Sequence, residues 1–331
     1  MPDLETCEQI AEDIYLIRLP LPFALSIVNC YLLRGNDGWT VIDAGINTPD
    51  GQATWHRVFD SLNIRPQDIE QIVLTHVHPD HYGLSGWLQA LAGENGTTPP
   101  VYTSPREAAL AEILWGDETR ENKFYDLLTV AGMPEQMVKQ VATGFDSTRM
   151  MTQPPPQGLE TINPGEKVRL GERDFDAMHA PGHSDGQLIF YDADDRLLLS
   201  GDHVLMKITP NIGLWPDTDD DPLGRFMGSL RTLRSLDVRL ALPGHRQVIL
   251  DWRGRLDELL DHHQQRLGHT MAAVDGGATV YEASLQVFES QRFTTHEWRF
   301  AVAETLAHLE YLRLRGRLRR EDGAVWRYDP V

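Results

Sequence analysis

Cysteine is almost absent from this chain of 331 residues: Cys7 and Cys30 alone cannot supply a disulfide framework. Cys30 falls within the apolar run Ser26-Ile-Val-Asn-Cys-Tyr-Leu-Leu33, where a free cysteine behaves as a small buried hydrophobe. Long hydrophobic runs are missing too. The longest, Ile17 to Leu33, is interrupted by Arg18, Pro20 and Pro22 and falls short of the roughly 18–20 apolar residues that cross a bilayer. Residues 1–13 carry Asp3, Glu5, Glu8, Glu12 and Asp13 and lack the basic start and apolar middle of a secretory signal. These absences predict a cytoplasmic protein with no membrane partner. Positive charge is short as well, with 30 Lys and Arg against 49 Asp and Glu, a net charge of −19. Nucleic-acid binding draws on clustered Lys and Arg, so this balance argues against such a partner and for a small-molecule substrate. The deficit is uneven: residues 251–331 hold 11 Arg, no Lys and 13 acidic residues, so the acidic excess lies in the first 250.

What is present suits one large globular domain and a smaller one, with 41% apolar and 24% charged residues. Ile14–Leu19, Ile27–Leu33 and Trp39–Asp43 are apolar, β-branched runs, the last two joined by the hairpin signal Asn36-Asp37-Gly38. Thr48 as N-cap and Pro49 in the first turn start a helix that runs to about Leu62. Ile72–Thr75 is a short strand leading straight into His76, and a helix over about Gly83–Leu91 follows. After a strand at Val101–Thr103, residues 105–150 read as a helix-rich insertion, expected to cover the mouth of a site and set substrate choice. Gln153-Pro-Pro-Pro-Gln157 ends it as a stiff extended link. Strands return at Lys167–Leu170, Asp174–His179, Gln187–Tyr191, Arg196–Ser200 and Arg239–Leu242, with a helix at Leu223–Leu236. From Arg253 the signal turns helical, over Arg253–Leu267, Val280–Phe288 and Thr295–Leu314, ending in a small strand around Gly323–Tyr328. The predicted division is a catalytic domain over 1–250 and a mostly helical one over 251–331.

One histidine alone is commonly a satisfied polar residue. His76, His78, Asp80 and His81, however, crowd four ligand-type side chains into six residues directly after a strand, which metal ligation explains and packing does not. His183, Asp202 and His245 each follow a strand and a glycine, whose freedom lets the backbone turn tightly towards an ion. Seven such ligands are too many for one tetrahedral zinc. They suit two divalent ions about 3.5–4 Å apart that share one carboxylate and one hydroxide. Zinc fits these donors best, with iron or manganese as alternatives. Two cations lower the pKa of a shared water and polarise a carbonyl or phosphoryl oxygen. Tyr82, beside the cluster, and Lys207, soon after Asp202, are candidates to meet the substrate, Lys207 by pairing with a carboxylate. His262, His263, His296 and His308 lie outside the pattern and are read as helix packing or surface. Asp217–Asp221 reads as a solvated loop that caps the next helix.

Together, Thr75-His-Val-His-Pro-Asp-His81, Ala180-Pro-Gly-His183, Ser200-Gly-Asp202 and Leu242-Pro-Gly-His245 resemble the metallo-β-lactamase-fold superfamily in order and rough spacing, across nearly the whole chain. The resemblance implies an α/β fold, a four-layer αββα sandwich. It also implies that His76, His78 and His183 bind one metal and Asp80, His81 and His245 a second, with Asp202 bridging. Asp80 and Asp202 are then the catalytic carboxylates. Val41-Ile-Asp-Ala-Gly45 is similar to the family's early strand-end motif, which implies that Asp43 orients a ligand histidine. The complete set, with Asp202, looks like that of glyoxalase II and its relatives. That implies attack of a bridging hydroxide on an ester, thioester, lactone or lactam. Antibiotic-hydrolysing members generally lack the bridging aspartate, so β-lactamase activity is expected only as a promiscuous one. A phosphodiesterase or endoribonuclease, or an iron-dependent persulfide dioxygenase, are the alternatives the superfamily offers. The tail, with His262-His263, Arg266, Thr279-Val-Tyr-Glu282, Ala303–Leu312 and Gly316, is similar to the winged-helix-like domain of the β-lactamase-like protein 2 branch.

Overall fold

The computed structural model describes residues 6–94, 96–116, 120–288 and 292–331; the side chains of residues 120–122, 142–147 and 295–296 lie outside that description, as does the acidic start at Asp3 and Glu5. Among the described residues the first sheet has seven strands in chain order: β1 (Cys7–Ala11), β2 (Ile14–Pro20), β3 (Ile27–Arg34), β4 (Trp39–Ile42), β5 (Ile69–Val73), β6 (Val101–Thr103) and β7 (Glu160–Thr161). Neighbours from β1 to β4 are antiparallel, and from β4 to β7 parallel. The second sheet comprises β8 (Lys167–Leu170), β9 (Arg173–His179), β10 (Leu188–Asp192), β11 (Leu197–Gly201) and β12 (Leu240–Pro243), laid side by side in reverse order. The helices are α1 (Pro49–Leu62), α2 (Pro79–Tyr82), α3 (Ser85–Gly93), α4 (Pro105–Ala111), α5 (Arg120–Val130) and α6 (Glu135–Met150). Further on come α7 (Pro222–Leu233), α8 (Trp252–Ala273), α9 (Val280–Val287) and α10 (Thr295–Leu314).

Period-two alternation builds the layers. In β10, Leu188 and Phe190 share a core with Ile14 and Leu16 of β2 and Tyr31 and Leu33 of β3, so the two sheets pack face to face. Ile189, between them, turns the other way, joining Leu198 and Ala241 against Leu223, Phe226 and Leu230 of α7. On the far face of the first sheet, Cys30, Leu32 and Val41 meet Trp55, Val58 and Phe59 of α1 and Leu88 of α3. The architecture is the αββα sandwich. Cys30 is wholly buried, as a small hydrophobe would be.

The chain beyond residue 251 is mostly helical, with a small sheet of β13 (Ala278–Thr279), β14 (Leu318–Glu321) and β15 (Arg327–Pro330) in the order β13-β15-β14. Its helices do not stand apart. Leu256 and Leu259 of α8 and Val302 and Leu306 of α10 join the same apolar core as Phe226 of α7 and Leu128 of α5. His263 and His308 are buried within this packing, their rings 3.3 Å apart at Nδ1 and Nε2. The terminal strand expected at Gly323–Tyr328 is instead a hairpin, with the 322–326 stretch as its turn. Its first arm, Leu-Arg-Arg-Glu, lacks the apolar alternation that marks a strand. The polar edge strand β1 escapes notice for the same reason. No helix among the described residues is long and apolar enough to cross a membrane.

Candidate metal centre

The dense ligand loop works through a change of backbone. His76 and His78 lie two apart in a stretch that is not yet helical, while Val77 between them is fully buried in the first core. His78, still extended at φ −64° and ψ 153°, is the N-cap of α2, and Pro79 occupies its first turn. A proline there has its φ preset for a helix and needs no donor. The short turn then swings Asp80 and His81 back beside His76 and His78. The rings of His76 and His81 have centroids 4.2 Å apart, and those of His76 and His78 4.6 Å apart.

The second sheet supplies its residues one loop at a time. Asp202 leaves β11 after Gly201, whose φ of +48° suits glycine. His245 leaves β12 after Gly244, where a Cβ would stand 2.2 Å from Asp202 Oδ1 and 2.7 Å from His81 Cε1. Only glycine lets that backbone pass so close. His183 Nε2 faces His78 Nδ1 at 2.8 Å and Asp202 Oδ2 at 3.6 Å. His245 Nε2 lies 3.2 Å from Asp80 Oδ2 and 3.3 Å from Asp202 Oδ2. Three sets of ligand atoms each lie within 4.8 Å of one another: His76, His78 and His183; His76, His81 and Asp202; Asp80, His81 and His245. All seven residues meet at one place.

Hydrogen bonds fix which nitrogen faces inward. His183 Nδ1 donates to Asn211 O at 2.9 Å and His245 Nδ1 to Ile27 O at 2.8 Å. His81 Nδ1 donates to Asp43 Oδ2 at 2.8 Å, and Asp43 also accepts from Thr75 N and Thr75 Oγ1. Carbonyl and carboxylate oxygens only accept, so Nδ1 carries a proton and Nε2 is the nitrogen turned to the cluster, free to bind an ion once that ion displaces any second proton. Asp43 takes a left-handed backbone, φ +58°, which Asp tolerates better than most residues. His76 Nε2, His81 Nε2 and Asp202 Oδ1 are buried with no hydrogen-bond partner among the described residues. Buried polar atoms are otherwise nearly always paired, so these three point to an ion.

Charge agrees. Burial and neighbouring histidines hold His76 well below the usual imidazole range, and burial with His183 pushes His78 down to about 3. Against the cost of burial, Asp202 and Asp80 push His245 up to about 10, and Asp202, Asp43 and Asp80 raise His81. Against the same cost, His81 and His245 hold Asp80 down at about 2. The carboxylates thus demand compensating positive charge where the unpaired nitrogens converge. That donor set fits divalent cations.

Other expected contacts fall differently. Tyr82 is 3% exposed and stacked on Trp115 in the core, and burial pushes its hydroxyl up to about 12. Lys207 is exposed, with φ +67° and no hydrogen bond or ion pair among the described residues. The 217–221 loop is an ion-pair hub rather than a merely solvated turn. Asp217 takes Lys123, Asp219 takes Arg225, and Asp221 both takes Arg315 and caps α7 through Gly224 N. Sequence reasoning missed Glu107, Gln187 and Asn211. Gln187 Oε1 accepts from Asp202 N at 3.0 Å and His203 N at 2.9 Å, steadying the loop that carries Asp202. The buried Glu107 carboxylate accepts from Val77 N, Ser184 Oγ and Gly186 N.

Histidines and carboxylates gathered at the strand ends of an αββα sandwich define a metal-dependent hydrolase. The chain belongs to the metallo-beta-lactamase superfamily, whose sequence pattern matches residues 24–245; that of the metallo-beta-lactamase-like C-terminal domain matches residues 267–331. A probable metallo-hydrolase of Bacillus subtilis, YqjP, is 28% identical over 316 residues, covering 91% of this chain and 92% of its own. The acyl-coenzyme A thioesterase MBLAC2 of Gallus gallus is 28% identical over 179 residues, 53% of this chain and 57% of that protein. Among solved structures, a metallo-beta-lactamase family protein from Thermus thermophilus superposes with a TM-score of 0.85 at 35% identity, covering 98% of this chain and 100% of its own.

Proposed function

We propose that this protein is a cytoplasmic, glyoxalase II-like zinc hydrolase with two metal positions, cleaving the acyl C–S or C–O bond of a small thioester or ester to give a carboxylate and a thiol or alcohol. His76, His78 and His183 would hold one ion, Asp80, His81 and His245 the other, and Asp202 would bridge them. The observation that carries this reading is the convergence of His76 Nε2, His81 Nε2 and Asp202 Oδ1, buried and unpaired, in one spot. When bound, such ions lower the pKa of water and polarise a carbonyl oxygen.

The chain's own residues do the rest. Asp43, Asn211 O and Ile27 O lock three imidazoles in the tautomer that presents Nε2. Asp80, with its side chain 20% exposed, is the carboxylate of the cluster that reaches furthest towards solvent, where it would accept a hydrogen bond from a water in the site and orient it. Lys207, exposed on the loop after Asp202, would meet an anionic part of a substrate. Residues 251–331 serve as a winged-helix-like domain backing the site. The thioester preference is supported by the relative MBLAC2, an acyl-coenzyme A thioesterase. The net charge of −19 weighs against an RNA substrate.

Purified protein, with its metal measured by elemental analysis, should hydrolyse thioesters faster than lactones, β-lactams or phosphodiesters. Chelation should abolish that activity and added zinc restore it. Cleavage of the phosphodiester alone, or bound iron with oxygen uptake on a persulfide, would replace this reading.

A further inference from the structure

We propose that Glu107, with Trp115 behind it, is a positioning residue that sets the spacing between the His76–His78 pair and His183; the inference rests on the metal centre proposed above. The His76–His78 pair is joined through the single residue Val77, and both backbone groups of Val77 are held by the segment that follows β6. Its N–H donates to Glu107 Oε2 at 3.0 Å, and its carbonyl accepts from Trp115 Nε1 at 3.0 Å. The other oxygen of Glu107 reaches the next ligand loop, accepting from Ser184 Oγ at 2.5 Å and Gly186 N at 2.8 Å. One carboxylate therefore spans two loops whose histidines face each other at 2.8 Å.

The local sequence prepares both arms. Ser104 caps α4 by accepting from Glu107 N, and Pro105 opens the helix. Glu107 thus sits in the first turn, where the helix dipole favours a carboxylate. The wider π turn Glu112–Gly116 then aims the Trp115 indole back at Val77; such turns are common near functional sites. Glu107 is 0% exposed, and burial pushes its carboxyl up to about 7 despite three donors. Simple packing would be better served by an apolar side chain of similar size, because a buried charge is expensive to keep. What an apolar residue lacks is a pair of rigid oxygens facing two loops at once.

The test replaces the metal with cobalt, whose visible bands report ligand geometry without any turnover. Wild type, Glu107→Gln, Ser184→Ala and Trp115→Phe are stripped with chelator and titrated with Co2+. Glu107→Gln is expected to fold with a thermal midpoint lowered by the loss of one buried acceptor, to bind its first cobalt about 10–100-fold more weakly, and to show shifted bands. In turnover its kcat should fall while KM stays. Ser184→Ala and Trp115→Phe, each losing one bond of the clamp, should fall between it and wild type. Wild-type bands and affinity in Glu107→Gln would overturn the proposal. Should that variant fail to fold, wild-type bands in both of the others would do so. A wild type that takes up no cobalt would instead overturn the metal-centre reading beneath it.

Discussion

The two sheets furnish the cluster in opposite ways. The first sheet gives four residues from one loop, His76 to His81, which side chains from elsewhere brace: Asp43 from the end of β4, Glu107 from α4 and Trp115 from the turn beyond. The second gives His183, Asp202 and His245 singly, from three loops, each turned by a glycine and held largely through the backbone. The long loop between Asp202 and α7 leans on the C-terminal helices. Arg255 of α8 donates to Leu205 O and Ile208 O, both at 2.7 Å, and Asn211 Nδ2 donates to Glu304 of α10 at 3.1 Å. Asn211 O is in turn the acceptor that orients His183. A dense loop can thus be stiffened by its neighbours in the fold, whereas dispersed residues need a second layer behind them. The helices after residue 251 supply that layer.

Breaking the point where the halves join should have the largest effect. Asp202 lies within 3.6 Å of histidines from both sides. Asp202→Ala should retain one ion per chain instead of two by elemental analysis. Its kcat should fall by about 100-fold or more, beyond what loss of an outer-layer partner causes. Two bound ions and normal turnover would separate the halves again. Next comes the layer behind the second sheet. Arg255→Leu strands two carbonyls in a buried setting and should cost about 3 kcal/mol, read as a lowered urea midpoint, since bonds from a charged donor are worth roughly 1.5–3 kcal/mol each. An unchanged midpoint would show that the C-terminal helices merely sit against the loop.

How far the sequence shows this asymmetry depends on distance along the chain. His76 to His81 are legible because four donors in six residues have no rival explanation. His183, Asp202 and His245 are legible more weakly, through a repeated order of strand, glycine and ligand. Asp43 is legible through the likeness of Val41-Ile-Asp-Ala-Gly45 to the superfamily's early strand-end motif. Glu107 cannot be found that way: a glutamate in the first turn of a helix ordinarily reads as a solvated partner of the dipole. Its meaning comes from topology. β5 and β6 run parallel as neighbours, so the turn after β6 lies beside the turn after β5 and brings Glu107 to Val77 across 30 positions. The loop at Asp217–Asp221 is opaque for a similar reason, because its partners Lys123, Arg225 and Arg315 come from α5, from α7 and from the residue that ends α10.

Within the dense loop, Asp43→Asn should be felt at the metal more than in the fold. The amide keeps one oxygen for Thr75 but turns an N–H towards His81 Nδ1, which is itself a donor. Metal affinity should fall about 10–100-fold in a chelator competition, with little change in the urea midpoint. A large loss of stability with normal metal affinity would make Asp43 a scaffold residue only.

The smallest effect should come from the residue beside Glu107. Arg106 also ties α4 to the second sheet's loops, through Asp185 at 2.6 Å and Asp217 O at 2.6 Å, so by a count of contacts it rivals its neighbour. Its side chain is 42% exposed, however, so water screens that end of the pair, and Asp185, 9% exposed, keeps a donor in Asp219 N without it. Exposed ion pairs contribute about 1 kcal/mol or less. Arg106→Ala should therefore lower the urea midpoint slightly, and less so in high salt, while leaving cobalt affinity and bands as in wild type. Two adjacent residues on one helix would then differ in kind: the exposed cation holds a surface together, and the buried carboxylate holds a geometry. If Arg106→Ala disturbed the cobalt bands as much as Glu107→Gln does, the position of the whole helix, and not one carboxylate, would govern the spacing of the histidines.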